Sequence, residues 1–141
     1  MNQTYQKPIP EMQPWSKEYW KGTKQHKLLI QTCNECGAKI FYPRKFCPEC
    51  WSKDLGWIEA KGTARVYSFT ITRDMVEPKF MPDLPYVLAM VDLDEGIRMM
   101  TRIVECDHDK IRIGMDVEVV FEDISDDCAL PMFRPIRSSQ D

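Results

Sequence analysis

The sequence predicts a mainly β protein, and three observations carry this prediction. Four of the six cysteines form two Cys-x-x-Cys pairs between residues 33 and 50. Strand-like patterns recur after Gly62, whereas helical spacing is confined to one short stretch near the N-terminus. These features divide the chain into an N-terminal extension with an aromatic helix at 1–26, a cysteine-rich module at 27–60 and a β domain at 61–141.

The amino-acid composition is typical of a globular protein and argues against membrane and nucleic-acid binding. The chain has 141 residues, 43% of them hydrophobic and 29% charged, which is typical of a globular domain. No run approaches the ~20 apolar residues of a membrane span, and the N-terminus lacks the apolar middle of a secretory signal. We therefore expect no membrane association and a cytoplasmic protein, in which clustered cysteines indicate a metal or a redox pair ahead of disulfides. The net charge of −3 argues against nucleic-acid binding, because phosphate binding usually requires a basic excess.

The only helical pattern is "WSKEYWKGTKQH", from Trp15 to about His26. Trp15, Tyr19 and Trp20 share one face at spacings of four and five residues. Gly22 weakens the end of this helix.

The cysteine pairs predict a metal site. Cys33 and Cys36 are separated by ten residues from Cys47 and Cys50, and two such turns side by side complete a tetrahedron of thiolates. Zinc is the expected ion, although iron uses the same four ligands and is not excluded. Four protein ligands leave no open position for water or substrate, so we expect a structural site. Short strands at "KLLIQTC", "KIFYP" and "LGWIE" complete the module.

The β domain begins with "ARVYSFTIT", whose alternation predicts that Arg65, Tyr67, Phe69 and Ile71 lie on one face. Three prolines in "RDMVEPKFMPDLP" predict a long loop without secondary structure.

Two further strands in "YVLAMVDLDEGIRMMTRIV" are joined by a hairpin at 94–96, and "MDVEVVFEDI" and "LPMFRPI" supply the last two. Five strands with no long helix predict a small closed barrel, most economically the five-stranded OB-fold.

No catalytic constellation is evident. Cys106 and His108 stand two residues apart in a loop, where the thiol and the ring rarely meet. Asp92, Asp94 and Glu95 lie at a hairpin turn, where solvated carboxylates are common. The sequence contains no phosphate-binding glycine loop and no nucleophile-elbow motif.

Taken in order, the motifs resemble a known family: acyl-CoA-associated proteins that join a rubredoxin-like zinc ribbon to an OB-fold. The resemblance extends from Trp15 to Ile136, and the order of the motifs is more specific than any one of them. The segments that carry it are "EYWKG", "LLIQTCNECGAKIFYPRKFCPEC", the tryptophan at 57, "GTARVYSFT", "PYVLAMVDLDEGIRMM", "IGMDVEVVFED" and "LPMFRPI".

The resemblance implies a role and not a reaction. Such proteins are accessory subunits bound to thiolase-fold enzymes, including thiolases, hydroxymethylglutaryl-CoA synthases, acyltransferases and aldolases, and acyl-CoA hydratases occur in the same assemblies. The chain is then not an enzyme by itself. It stabilises a thiolase-fold partner in a hetero-oligomer and helps to wall the channel for the CoA thioester, which is the partner's ligand.

The resemblance also implies which surface meets the partner or acyl-CoA. Arg44 and Arg73 face the ligand's phosphates in this reading, or else are solvated or paired with acids. Many relatives have Gly-Ser after the last cysteine, so Trp51 is a departure and a candidate contact specific to this chain. The full set is Trp15, Tyr19, Trp20, Phe41, Tyr42, Arg44, Phe46, Trp51, Arg73 and the loop tip Phe80, Met81 and Pro82.

Two other functions stay open at this point. A zinc ribbon and an OB-fold also occur in proteins that bind single-stranded nucleic acid, where aromatic side chains stack on bases. An independent enzyme that uses Cys106 is the other alternative.

Overall fold

The computed structural model describes residues 7–74 and 76–136, which form one α-helix, eight strands and two short 3-10 helices. Helix α1 precedes a three-stranded sheet of order β2-β1-β3, and a closed barrel of order β4-β5-β6-β8-β7 follows. The predicted mainly β class and five-stranded barrel are confirmed. The elements are α1 (Lys17–Lys24), β1 (Leu29–Cys33), β2 (Lys39–Ile40), β3 (Leu55–Glu59), β4 (Thr63–Thr72), β5 (Tyr86–Leu93), β6 (Arg98–Ile103), β7 (Asp116–Asp123) and β8 (Ala129–Pro135).

The barrel is antiparallel except where β6 meets β8. There Ile103 and Phe133 form the single parallel pair. The barrel closes because β4 pairs with β5 along most of its length, and its first three residues also pair with β7. The predicted hairpin at 94–96 joins β5 to β6.

The first barrel strand departs from the predicted alternation. Its register with β5 shifts between Val66 and Ser68, which marks a β-bulge. Val66 before the bulge is buried, Tyr67 at the bulge is exposed, and Phe69 and Ile71 after it pack against the core. The prediction of one face for these aromatic and apolar residues is wrong, because the extra residue of a bulge moves the following side chains to the opposite face.

The proline-rich segment after β4 was predicted to lack secondary structure. This prediction is wrong, because the segment contains a 3-10 helix at Pro78–Asp83. The Glu77 carboxylate accepts a hydrogen bond from the backbone N–H of Lys79 at 2.7 Å, which caps its start. Asp83 at its end binds the ammonium of Lys7 at 2.6 Å and the guanidinium of Arg102 at 3.1 Å.

One hydrophobic core joins the three parts of the molecule. Tyr19 from α1 and Leu28 and Ile30 from the start of the ribbon belong to the same buried cluster as the barrel interior. The ribbon tip has a separate small cluster, of which Cys33, Ile40 and Cys47 are the buried members. Within the described residues, no helix is long and apolar enough to cross a membrane.

Candidate metal centre and partner surface

The four cysteines of the two pairs converge on one point. Their sulfur atoms all lie within 4.8 Å of one another, with Cys33 and Cys50 at 3.6 Å and Cys36 and Cys47 also at 3.6 Å. A tetrahedron with Zn–S bonds of about 2.3 Å has S–S edges of about 3.8 Å. The donor set therefore fits a zinc or iron ion of four-thiolate coordination.

The two knuckles use the same turn. In the first, Gly37 has a φ of +78° and donates its N–H to the carbonyl of Cys33 at 3.0 Å. In the second, Trp51 has a φ of +66° and donates its N–H to the carbonyl of Cys47 at 2.8 Å. Each turn places its two thiols on the same side of the chain.

Backbone N–H groups point at the sulfur atoms. The Cys33 sulfur accepts hydrogen bonds from the N–H groups of Glu35 and Cys36, both at 3.4 Å, and the Cys47 sulfur accepts one from Glu49 at 3.3 Å. These bonds stabilise negative charge on sulfur and leave each knuckle ready to hold a cation.

The thiols of the centre do not ionise alike. The Cys36 backbone N–H lowers the pKa of Cys33 to about 7, assisted by the Glu35 N–H and the neighbouring thiols and opposed by desolvation. The backbone hydrogen bond with Ser52 acts in the same direction on Cys50, but burial and the surrounding cysteines outweigh it and raise the pKa of that thiol to about 12. Four thiolates in one cluster therefore require a cation, which deprotonates the thiols as it binds.

A cleft separates the N-terminus of α1 from the ribbon sheet. Its volume is about 440 Å³. The Lys45 ammonium lies 5.5 Å from the centre of the Trp15 ring at its edge. The lining combines apolar side chains with two cations and one carboxylate: Pro14, Trp15, Glu18, Gln31, Arg44, Lys45, Leu55 and Trp57.

A buried amide fixes the backbone of Arg44 in this cleft. Gln31 is only 3% exposed. Its side-chain oxygen accepts the Arg44 N–H at 2.7 Å, and its NH2 group donates to the Arg44 carbonyl at 3.0 Å. The guanidinium of Arg44 has no ion pair among residues 7–74 and 76–136, so the cleft presents a free cation on a fixed backbone.

Three of the predicted surface aromatics pack towards the core: Tyr19 is buried, and Trp20 and Phe41 are partly buried. Tyr19 is 5% exposed, and its ring meets Trp20 at 4.9 Å and Phe41 at 5.6 Å between centroids, both edge-on. Burial, together with Tyr42, raises the pKa of the Tyr19 phenol. This cluster packs against the main core, so it attaches the helix and the ribbon to the barrel.

Tyr42 also connects the ribbon to the barrel. Strand β6 pairs in register with β8 at Ile103, and three residues before this pair the Met100 N–H donates to the Tyr42 hydroxyl at 3.0 Å. A side chain of the ribbon thus satisfies a backbone donor of strand β6 in the barrel. Half of the Tyr42 side chain remains in solvent.

The second knuckle presents an exposed aromatic. Trp51 is 75% exposed, and its ring centre lies 6.2 Å from that of the half-buried Phe46. The Lys53 ammonium sits 5.5 Å from the Phe46 ring centre on the same surface.

The apolar residues of the proline-rich loop differ in their exposure to solvent. Met81 is 54% exposed and Pro82 is exposed, as is Arg73 at the start of the loop. Phe80 is half-buried and lines a separate cavity of about 180 Å³ beside Lys7 and Arg102. Trp15 and Arg44 line the cleft at α1, so the predicted surface residues fall into more than one place.

The groups considered for catalysis are engaged elsewhere. The Cys106 thiol donates to the carbonyl of Asp107 at 3.4 Å, and desolvation with the nearby Asp107 carboxylate raises its pKa, which disfavours a nucleophilic thiolate. Asp92 is held by Arg98 at 2.6 Å, and Asp94 accepts from the Thr63 hydroxyl.

The sequence analysis missed Gln31, Lys45 and Trp57 of the cleft. One signal was present, because Gln31 is a polar residue within the apolar strand "LLIQTC". A buried polar side chain requires partners, but the sequence does not indicate that they belong to Arg44.

Comparison with known proteins identifies the family. The protein-family model described as "ChsH2, rubredoxin-like zinc ribbon domain" matches residues 20–56 of the chain. A second family model, "ChsH2, C-terminal OB-fold domain", matches residues 57–122. A DUF35 domain-containing scaffold protein of Methanocaldococcus jannaschii is 37% identical over 77% of this chain and 77% of its own length. A scaffold protein of the same description from Pyrococcus furiosus is 31% identical over 86% of this chain and 93% of its own length. The chain belongs to this DUF35 family of zinc-ribbon and OB-fold proteins.

Other relatives carry the same module within enzyme subunits. A probable enoyl-CoA hydratase alpha subunit of Thermomonospora curvata is 37% identical over 92% of this chain, which spans only 40% of that subunit's length. The structure of an Ltp2-ChsH2(DUF35) aldolase superposes with a TM-score of 0.81 at 36% identity, covering 90% of this chain and 98% of the matched chain. A DUF35 protein of Sulfolobus solfataricus, at 19% identity and a TM-score of 0.58, shares the fold.

Proposed function

We propose that the protein is a non-catalytic accessory subunit of a thiolase-type enzyme complex that forms or cleaves carbon–carbon bonds of acyl-CoA. The observation that carries the proposal is the closed four-cysteine centre, which leaves no coordination position for substrate, in a chain whose other candidate nucleophile, Cys106, has a raised pKa. The names of the relatives agree with this role: scaffold protein, aldolase with a ChsH2(DUF35) chain, and a benzoylsuccinyl-CoA thiolase subunit from Geobacter metallireducens at 29% identity.

The metal of this subunit is zinc in a structural role. Zinc accepts four thiolates without a geometric preference of its own and does not change oxidation state. Such a reduced thiolate centre suits a reducing compartment, which supports the cytoplasm as the place of action. Elemental analysis of protein purified without added metal tests the ion: one zinc per chain is expected, and stoichiometric iron contradicts the assignment.

The cleft at α1 is the surface that we assign to acyl-CoA when the complex is assembled. The exposed guanidinium of Arg44 and the ammonium of Lys45 suit phosphate groups, and Trp15 and Trp57 offer flat apolar walls. In this assignment the subunit contributes to the wall of the partner's channel, while the chemistry belongs to the partner.

The arginines of the barrel favour this role over nucleic-acid binding. An OB-fold that binds single strands presents free cations beside stacking aromatics. Here four barrel arginines are each within 3.4 Å of a carboxylate, which neutralises them: Arg65 with Asp116, Arg98 with Asp92, Arg102 with Asp83, and Arg134 with Glu118 and Glu105.

Affinity capture from the native host tests the proposal. We expect the tagged chain to elute with a stoichiometric thiolase-fold protein, and the pair to act on acyl-CoA when the isolated chain does not. Turnover by the chain alone, or elution with no acyl-CoA enzyme, would contradict it.

A further inference from the structure

The two knuckles share one backbone turn but carry different residues directly after the second cysteine. In each, the first cysteine donates its backbone N–H to the carbonyl of the fifth residue after it, at 2.9 Å in both. The residue that follows the second cysteine has a positive φ in both, +78° at Gly37 and +66° at Trp51. The same turn therefore carries glycine once and tryptophan once.

Tryptophan at this position is strained. The left-handed region is unfavourable for residues with a Cβ, whereas glycine adopts it freely. A Cβ placed on Gly37 would meet no atom within 4 Å, so the turn itself has room for a side chain and the strain lies in the backbone conformation alone. The second knuckle is therefore strained at Trp51, whereas the first knuckle has glycine at this position and is not.

Among the residues that the structure describes, packing of the Trp51 side chain does little to offset this strain. Trp51 remains 75% exposed, and its closest ring neighbour, Phe46, lies 6.2 Å away between centroids at a tilt of 50°. An exposed indole contributes little to the folded state, but it offers a large rigid surface that a partner can bury.

The surroundings of Trp51 are basic in an acidic protein. Residues 44–53 include three cations (Arg44, Lys45 and Lys53) and one carboxylate (Glu49), whereas the whole chain carries −3. The Lys53 ammonium lies over the Phe46 ring, next to Trp51. Complementarity therefore calls for an apolar pocket with carboxylates around its rim.

We propose that Trp51 is the anchor of the accessory subunit: its indole inserts into an apolar pocket, rimmed by carboxylates, on the catalytic subunit of the complex. The ribbon holds this residue in a strained conformation because the complex, and not the free chain, recovers the free energy. This inference rests on the function proposed above and adds the residue that selects the partner.

The free chain gives the first half of the test, by urea unfolding of the zinc-loaded protein. Trp51→Gly relieves the strain and is expected to raise the ratio of folded to unfolded chain by about fivefold. Trp51→Ala keeps a Cβ and is expected to gain much less. Gly37→Ala is the mirror control and is expected to lower the same ratio by a similar factor. Zinc content is measured for each variant, and one ion per chain shows that the centre is intact.

The assembled complex gives the second half, by titration of each variant with the purified catalytic subunit. Trp51→Gly and Trp51→Ala are both expected to raise the Kd by about 30-fold or more, the loss associated with a central aromatic anchor. Trp51→Phe keeps a ring and is expected to retain most of the affinity. Lys53→Glu is expected to slow association and to reduce its salt dependence, because it places a carboxylate opposite the acidic rim.

Each outcome separates this inference from the proposed function. If the unmodified chain binds no acyl-CoA enzyme, the proposed function fails. If it binds one and both Trp51 variants bind equally well, the anchor is refuted and the accessory role stands. Trp51-dependent dimers that persist in the complex, detected by sedimentation, would show that a second copy covers the indole, and would also refute the inference.

Discussion

At the scale of single residues, the amide of Gln31 is the contact that fixes the cleft. Gln31→Glu replaces the NH2 donor with an oxygen that faces the Arg44 carbonyl, at a position 3% exposed. We expect a loss of about 2–3 kcal/mol in the free energy of unfolding at pH 8, because a buried carboxylate loses one hydrogen bond and gains a repulsion.

Acidification should partly reverse that loss. Burial raises the pKa of the new carboxyl group, and once protonated it can donate to the Arg44 carbonyl as the amide does. Stability of Gln31→Glu relative to the parent should therefore rise as the pH falls from 8 to 5, measured by urea unfolding at both values. Gln13→Glu, at an exposed position, should change stability by no more than about 0.5 kcal/mol. A loss independent of pH would contradict the role given to the amide.

The sequence predicted those site residues that local spacing defines, and it missed those that tertiary contacts define. The spacing of Cys33, Cys36, Cys47 and Cys50 directly encodes a four-thiolate cluster, and the structure brings their sulfurs together. The partner of Gln31 depends on how a loop folds back on a strand, which no local pattern records. The sequence pattern also does not indicate exposure: Tyr19, Phe41 and Trp51 are all aromatic, yet Tyr19 is buried, Phe41 is partly buried and Trp51 is 75% exposed.

At the scale of elements, one hydroxyl joins helix α1 to the barrel. Thr23 is fully buried, donates its hydroxyl to the Trp20 carbonyl at 2.6 Å and accepts the N–H of Ala129 at 3.1 Å. Thr23→Val keeps the shape but leaves that buried N–H without a partner. We expect a loss of about 1–3 kcal/mol in the free energy of unfolding.

Thr23→Ser is the matched control, because it keeps the hydroxyl and removes a methyl group. Its loss should reflect only the small cavity, about 1 kcal/mol. Hydrogen exchange at Ala129 distinguishes the two variants: protection of that amide should fall in Thr23→Val and persist in Thr23→Ser. Equal exchange in both would show that another group holds the helix end.

The order of the elements followed from the sequence, but two details of the barrel did not. Alternation in "ARVYSFTIT" reads as one continuous strand, and the bulge beside Val66 is a property of how this strand pairs with β5. A bulge bends its strand, and the strands of a small barrel must bend for the sheet to close. A local sequence pattern does not record this requirement. The 3-10 helix at Pro78–Asp83 was similarly concealed by its prolines, one of which in fact begins it.

At the scale of the whole molecule, the metal and the barrel support different regions. The cluster at the ribbon tip has three buried members, of which Cys33 and Cys47 are themselves ligands, so without metal this region has almost no core of its own. Leu28 and Ile30, at the start of the ribbon, instead belong to the core of the barrel. Loss of the ion should therefore unfold the ribbon tip and leave the barrel folded.

Hydrogen exchange with and without a chelator tests this division. Removing the metal should abolish protection of amides from Cys33 to Asp54, while amides of β5 and β6 stay protected. Acidification should act in the same direction, because binding displaces thiol protons and affinity falls as the pH falls. Cys36→Ser should reproduce the chelated state at neutral pH, whereas Cys106→Ala, outside the centre, should bind metal like the parent. If the barrel amides lose protection together with the tip, the two regions form one cooperative unit, and the ion then stabilises the entire chain through the shared residues Leu28 and Ile30.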